Sequence, residues 1–407
     1  MKIRSITYLI NPGWPIDQAA LDQAGHFIRA ARPAFQAAGY EVQTARLATI
    51  PFPELLDAAN PQLAVEFALR LEKEAQTQGF DYISIGPALP GSRDSYACIA
   101  AVLAATQNVF VSGMLTAPEQ GVSLVAVRDC AVAIHQAATI SPDGFANLRF
   151  AALANVPPGS PFFPAAYHHG DAPAFALATE AADLAVKAFL GAGSLAQARR
   201  DLVASIESNA RRLEKAASDV SEQTRVRFAG IDFSLAPFPA EELSIGKAME
   251  LLGAPGVGLS GSLAAAAFLA DTLDRARFTR AGFSGLMLPV MEDAILAARC
   301  AQGLLSISDL LLYSAVCGTG LDTLPLPGDA SVDQLAAVLL DLAALSTRLG
   351  KPLTARLMPI PGKAAGDPVH FEFGYFADSR VLPLSAASLE RLFHGGEQVT
   401  LRPHSSA

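Results

Sequence analysis

Cys317 stands where an apolar run breaks into a glycine-punctuated turn, Ser-Ala-Val-Cys-Gly-Thr-Gly-Leu-Asp over 314–322. Glycines at 318 and 320 let a backbone turn tightly or approach a ligand closely, which is how a scaffold presents a thiol as nucleophile or proton carrier. The competing reading is a small buried hydrophobe, because unpaired cysteines are among the most buried residue types. Asp232 and Ser234 lie in Gly-Ile-Asp-Phe-Ser, a strand-like run in which side chains two apart share a face. A carboxylate and a hydroxyl are thereby held side by side. Ser234 is equally suited to capping or to a turn ahead of Pro237 and Pro239, whereas a carboxylate in an apolar strand must find a donor, a cation or water.

Glu292 and Asp293 follow Leu-Pro-Val-Met and open an expected helix over 292–302. Acidic residues there complement the positive end of the helix dipole. The alternative turns Glu292 into a cavity beside Asp232, as a general base or hard-cation ligand. His168, one of seven histidines, follows a proline-bounded turn and is either a proton carrier or ligand, or a satisfied polar residue. Together Cys317, Asp232, Glu292 and His168 form the candidate catalytic set.

Ser234, Ser262 and Asp322 are the candidate ligand contacts. Ser262 belongs to the glycine-rich stretch 253–262, which precedes a helix and whose amides suit an anion. The stretch lacks the lysine of a Walker loop and the spacing of a dinucleotide fingerprint, so neither ATP nor NAD is supported. Gly91-Ser-Arg-Asp offers a second anion site through Arg93, and a solvated loop explains it equally well. No motif names a cofactor, and a metal is left open.

The bulk properties exclude some classes. A net charge of −9 without a basic run gives no footprint for nucleic acid. Cysteines at 98, 130, 300 and 317 form neither a CxxC pair nor a metal ladder, which suits a reducing compartment. The sequence starts without a signal-peptide pattern, and no apolar stretch reaches the ~18 residues of a membrane span. Cytoplasmic residence is expected. With 51% hydrophobic and 17% charged residues, the chain has a large core, an oligomer interface or both, and a twofold dimer is the simplest expectation.

The elements that must position these residues alternate. Short apolar runs at 6–10, 42–47, 82–85, 109–113, 148–153, 174–178 and 226–233 read as strands. Helical patterns lie at 16–38, 62–78, 94–106, 180–190, 242–252 and 261–275. Such alternation predicts a largely parallel sheet or barrel with helices outside. The polar helix 195–224 suits a solvent-facing or inter-subunit position. After a helix at 331–348, the segments 353–359 and 369–376 read as strands, and 353–400 is expected to close the structure. No repeat and no linker divides the chain, so 1–407 is expected to be one domain.

Four motifs in order carry a resemblance: Phe228-Ala-Gly-Ile-Asp-Phe-Ser-Leu-Ala-Pro-Phe-Pro, Gly258-Leu-Ser-Gly-Ser-Leu-Ala-Ala, Gly282-Phe-Ser-Gly-Leu-Met-Leu-Pro-Val-Met-Glu-Asp and Ala315-Val-Cys-Gly-Thr-Gly-Leu-Asp. With Phe145-Ala-Asn-Leu-Arg-Phe and Pro161-Phe-Phe-Pro-Ala-Ala-Tyr-His, they resemble the domain of unknown function 711 family over residues 145 to 400. The N-terminal part looks like a more divergent branch. The resemblance implies a ten-stranded α/β barrel similar to that of the pyruvate formate-lyase-like glycyl radical enzymes, with a hairpin loop inside. On that analogy Cys317 takes the place of the loop cysteine. Radical chemistry is not carried over, because Gly395-Gly396 lacks the neighbours of a glycyl-radical loop. Two readings follow: an enzyme acting on a small polar metabolite in the barrel, or a noncatalytic binder on the same scaffold. A metal-dependent hydrolase is a weaker third.

Overall fold

The computed structural model describes residues 1–57, 59–117, 121–316 and 318–403. Nine strands make one mixed sheet: β1 (Lys2–Ile10), β2 (Val42–Thr49), β3 (Tyr82–Ala88), β4 (Val109–Met114), β5 (Phe150–Ala154), β6 (Ala174–Glu180), β7 (Arg227–Ala236), β8 (Gly320–Pro327) and β9 (Leu353–Ile360). Their spatial order is β8-β9-β5-β4-β3-β2-β1-β6-β7. The five central strands run parallel to one another. On one flank β6 and β7 run against β1, and on the other β8 and β9 run against β5.

Both faces of the sheet are covered, and the side-chain period of two sorts the residues between them. In β1, Ile6, Tyr8 and Ile10 join the large core beneath the helices, while Ser5 and Thr7 point the other way. In β7, Ile231, Phe233 and Leu235 alternate with Asp232 and Ser234, and in β9 Leu353, Ala355 and Leu357 alternate with Thr354 and Arg356. The inner face is therefore where buried polar groups collect.

Helices α1 (Gln18–Ala37), α2 (Pro61–Thr77), α3 (Ile99–Ala105), α4 (Leu124–Ala138), α5 (Ala182–Leu190), α6 (Leu195–Thr224), α7 (Ile245–Leu251), α8 (Ser262–Arg275), α9 (Ala294–Ala301), α10 (Ile307–Val316) and α11 (Val332–Leu349) complete the fold. Several of their starts carry side-chain caps, those of α3, α5 and α8 excepted. Asn60 accepts the Gln62 amide ahead of Pro61, and Ser331 with Gln334 forms a capping box. Helix α6 is an outer helix with a buried stripe: Leu202, Ile206, Leu213 and Val220 pack toward α1, α5, α8 and β7. It is amphipathic rather than wholly solvated. Among the described residues, no helix is long and apolar enough to cross a membrane.

A mixed α/β fold is as expected, with nine regular strands. Between the outer strands β7 and β8 runs the irregular stretch 279–290. Ile231 donates its amide to Thr279 and accepts from Ala281, at 2.8 and 3.0 Å, and Val290 donates to Asp322 at 3.0 Å. Both contacts, Ile231 with Arg280 and Pro289 with Asp322, are parallel bridges.

One expectation is corrected. Residues 369–376 are not a strand; only Pro368–Val369 pairs, with Ser379–Arg380, and the apolar alternation instead stacks Phe371, Phe373 and Phe376 on Phe145. The segment 161–168 runs along the inner face of the sheet, while Cys317, expected on an interior loop, lies outside the described residues. Thr7 and Ser84, both on the inner face, donate to the carbonyls of Pro161 and Ala166 at 3.3 and 2.7 Å. That segment contains no cysteine.

Candidate functional site

The inner face opens on a cavity of about 560 Å³ at the amino ends of β1 to β4 and the carboxyl ends of β6 and β7, which β8 and β9 reach through Asp322 and Arg356. This volume suits a small ligand. Asp232, Ser234, Glu292 and Asp322 all reach its wall. Cys317 lies outside the described residues.

Arginines dominate the electrostatics. Arg356, buried on β9, donates from Nε to Asp322 Oδ1 at 2.6 Å and from Nη2 to Glu292 Oε1 at 2.8 Å. Arg4 on β1 pairs with the other oxygen of Glu292, reaches Glu180 at 3.4 Å and lies over the Tyr375 ring. Burial works against ionisation of Glu292, but Arg4, Arg356 and Arg46 outweigh it and hold the carboxyl below its ordinary value. For Asp322, burial pushes the carboxyl up; Arg356 pulls against the rise and the Glu292 charge adds to it. Burial likewise opposes the charge on Arg356, which Asp322 and Glu292 restore, raising it.

Asp232 is engaged differently. Its Oδ1 accepts from the Ser234 hydroxyl at 2.5 Å and the Ser284 amide at 3.0 Å, and Oδ2 accepts from the Phe283 amide at 3.0 Å. Ser234 Oγ in turn accepts the Gly285 amide at 3.3 Å. The pair expected on one face is there, and it pins the stretch 282–285 to β7. Burial raises the Asp232 carboxyl in spite of these donors.

The helix-dipole expectation for 292–293 divides between the two residues. Asp293 accepts the Ile295 and Leu296 amides, both at 2.9 Å, to cap α9, and the Ile245 amide at 2.6 Å to cap α7. Glu292 precedes the helix and turns to the cavity.

Three expectations fail on position. His168 is buried at the opposite end of the sheet, where its amide reaches the Thr49 carbonyl and its Nε2 donates to Ala172 at 3.1 Å; it is not on the cavity wall. Burial lowers its pKa, which keeps it neutral. Ser262 donates to the Leu259 and Gly256 carbonyls and accepts the Gly258 amide, so the glycine-rich turn is closed on itself rather than open to an anion. Arg93 is an exposed partner of Asp129 at 3.5 Å.

Arg4, Arg46 and Arg356 escaped the sequence reading. Each interrupts an otherwise apolar strand, and an inward charge at period two was the available signal. Arg46 donates from Nε to Thr44 Oγ1 at 2.9 Å and lies against the Tyr82 and Phe163 rings, 5.9 and 5.1 Å from their centroids. Among the described residues, no group of three or more His, Cys, Asp or Glu converges to hold a metal.

Comparison with known proteins agrees with the ordered motifs and extends them to the N-terminus. The family model for an uncharacterised group, DUF711, matches residues 1–377. A UPF0210 protein of Pyrobaculum arsenaticum is 32% identical over 395 residues, covering 90% of this chain and 87% of the relative. One from Lactiplantibacillus plantarum is 30% identical, covering 90% and 85%. One from Clostridium botulinum is 29% identical, covering 94% and 88%. The chain belongs to the DUF711 family, whose members carry the name UPF0210.

Proposed function

We propose that the chain is a cytosolic enzyme acting on a small polar metabolite within the cavity, with Asp322 as proton carrier and Glu292 as a fixed anion. One observation carries this reading: Arg356 bridges two buried carboxylates in a ligand-sized cavity, and their environments displace them in opposite directions. Pairs of acids pushed apart in this way mark acid–base chemistry. Cys317, five residues before Asp322 in the chain, is the proposed nucleophile. Asp232 and His168 take no part, since the first is occupied by backbone donors and the second lies at the far end of the sheet.

The same reading takes 279–290 as an irregular tenth stave that closes a barrel like that of the pyruvate formate-lyase-like enzymes, without their radical. Its parallel bridges to both outer strands support this. In solution the proposed form is a twofold dimer. Exposed Leu190 at the end of α5 and Leu195 at the start of α6 are the apolar side chains it would cover, and a light-scattering mass near 42.5 kDa, that of one chain, would rule it out.

The test starts from native mass spectrometry of whatever small molecule co-purifies, followed by assays for its turnover. Asp322→Asn keeps the shape and should lower kcat at least about 100-fold with little change in KM. An unchanged kcat would end the proton-carrier role. The second reading, a noncatalytic binder, is favoured by the two arginines that hold Glu292. Tight binding of the co-purifying molecule without turnover, and slow alkylation of Cys317 near neutral pH, would establish it instead.

A further inference from the structure

Arg46 differs from the other three arginines that line the cavity, of which Arg149 is satisfied by Thr106 Oγ1 and the Val109 and Leu103 carbonyls. Arg4 and Arg356 each hold two carboxylates, whereas Arg46 has none within ion-pair distance among the described residues and bonds only Thr44, through Nε. Its Nη1 and Nη2 are therefore a free fork in the cavity wall. Burial pulls the guanidinium down to about 10, with Arg4 adding to the fall and the more distant Glu292 charge working against it, so it stays cationic at neutral pH with no carboxylate in direct contact. A second polar group in the same wall is also unmet: Gln43 Nε2 donates to Glu180 at 2.8 Å, but its buried Oε1 accepts nothing.

The surroundings define the rest of the ligand. The rings of Tyr82 and Phe163 flank the guanidinium, Phe110 stands edge-on to both, and Phe373 and Tyr375 close the cavity from the C-terminal segment. Such walls accept a flat apolar body. A guanidinium edge presents two parallel N–H groups, which match the two oxygens of a carboxylate. A phosphate would leave its further oxygens facing rings and the Gln43 acceptor.

We infer that Arg46 is the anchor for the carboxylate of a flat, apolar-bodied organic acid whose body lies along the aromatic side of the cavity wall. The unmet Gln43 oxygen leaves a place for a hydroxyl or amino donor on the same molecule. This inference rests on the proposal that the cavity receives a small polar metabolite, and it names the class.

Calorimetric titration of the full chain at pH 7 with sodium benzoate, benzamide and inorganic phosphate tests it. Benzoate should bind with a Kd below about 1 mM, and benzamide, the same shape without the charge, at least about 10-fold more weakly. Arg46→Met should weaken benzoate at least about 30-fold. Because Arg46 carries no direct ion pair and Met keeps much of its packing volume, that variant should still fold, read as a single cooperative melt. Arg46→Lys provides a second variant that keeps the charge; it should lose about 10-fold through loss of the fork. Equal binding of benzoate and benzamide, tighter binding of phosphate than of benzoate, wild-type affinity in Arg46→Met, or no benzoate binding up to about 10 mM would each overturn the assignment. The readout is binding alone. A failure of Asp322 as proton carrier therefore leaves it standing, and its own failure leaves Asp322 untouched.

Discussion

Adjacent acids at 292 and 293 have opposite electrostatic fates, and a pH series separates them. Asp293 is enclosed by amide donors and the Ser244 hydroxyl, and burial still raises it. Glu292 is held by guanidinium groups and lowered from its ordinary 4.5. A carboxyl whose folded value is depressed stabilises the fold fully above its unfolded value, and that contribution is lost as pH falls through the folded value. Asp293 has the reverse sign: its raised value favours the fold at low pH, and the advantage goes as pH climbs from the ordinary value through the raised one. Glu292→Gln should thus cost about 3 kcal/mol at pH 7, the scale for breaking a buried pair. Its deficit against wild type should narrow as pH drops below 4.5, as read from urea midpoints at several pH values. A deficit that stays constant with pH would remove the arginine clamp from the account. Such a clamp was only half legible in the sequence. A carboxylate after an apolar run announces itself, but which arginine it meets depends on strands 64 and 288 residues away.

At the scale of elements, the stretch 279–290 occupies the gap between two sheet edges without forming regular strand. Its conformation explains why. Gly282 has φ of +60°, Ser284 has +41°, and a β-carbon on Gly282 would lie 2.2 Å from Asp232 Oδ2. The Asp232 clamp thus needs a glycine turn at the position where a straight ladder would otherwise continue. Strands β1 to β7 and the helices between them, apart from the missed α4, were readable from apolar periodicity, because each buries one regular face against the helix-side core. Strand β8 was not. Its Gly-Leu-Asp-Thr-Leu-Pro-Leu-Pro sequence puts two prolines in a strand, which normally argues against one. Here β8 has a regular neighbour on one side only, β9, so the missing amides cost no ladder on the other. The segment 369–376 failed in the opposite sense, since ring stacking mimics the period of a strand without requiring a partner. The inner segment 161–168 carries its placement in long-range hydrogen bonds to Thr7 and Ser84, which no local pattern encodes.

Across the whole molecule, sequence order and spatial order are interleaved. Strand β5, from the middle of the chain, lies between β4 and β9, and β1 lies between β2 and β6. No cut in the chain yields two halves with complete sheets, and the cavity takes its arginines from β1, β2, β9 and the turn before β5 together. Long-range pairing of this kind makes the loss of one flank expose the inner polar face of the other, so partial unfolding leaves buried charges without partners. The chain should therefore unfold as one unit. Trp14, the single tryptophan, packs edge-on to Phe67 at 5.5 Å and reports on the N-terminal part. Helix α11, near the other end, packs on α4 and β9 and is followed by hydrogen exchange of its amides. In urea, the tryptophan emission, the far-ultraviolet dichroism and the α11 exchange should share one midpoint within about 0.2 M. A gap of more than about 0.5 M between the tryptophan and α11 transitions would mean two independently stable halves, and would undo the claim that one cavity and one sheet hold the molecule together.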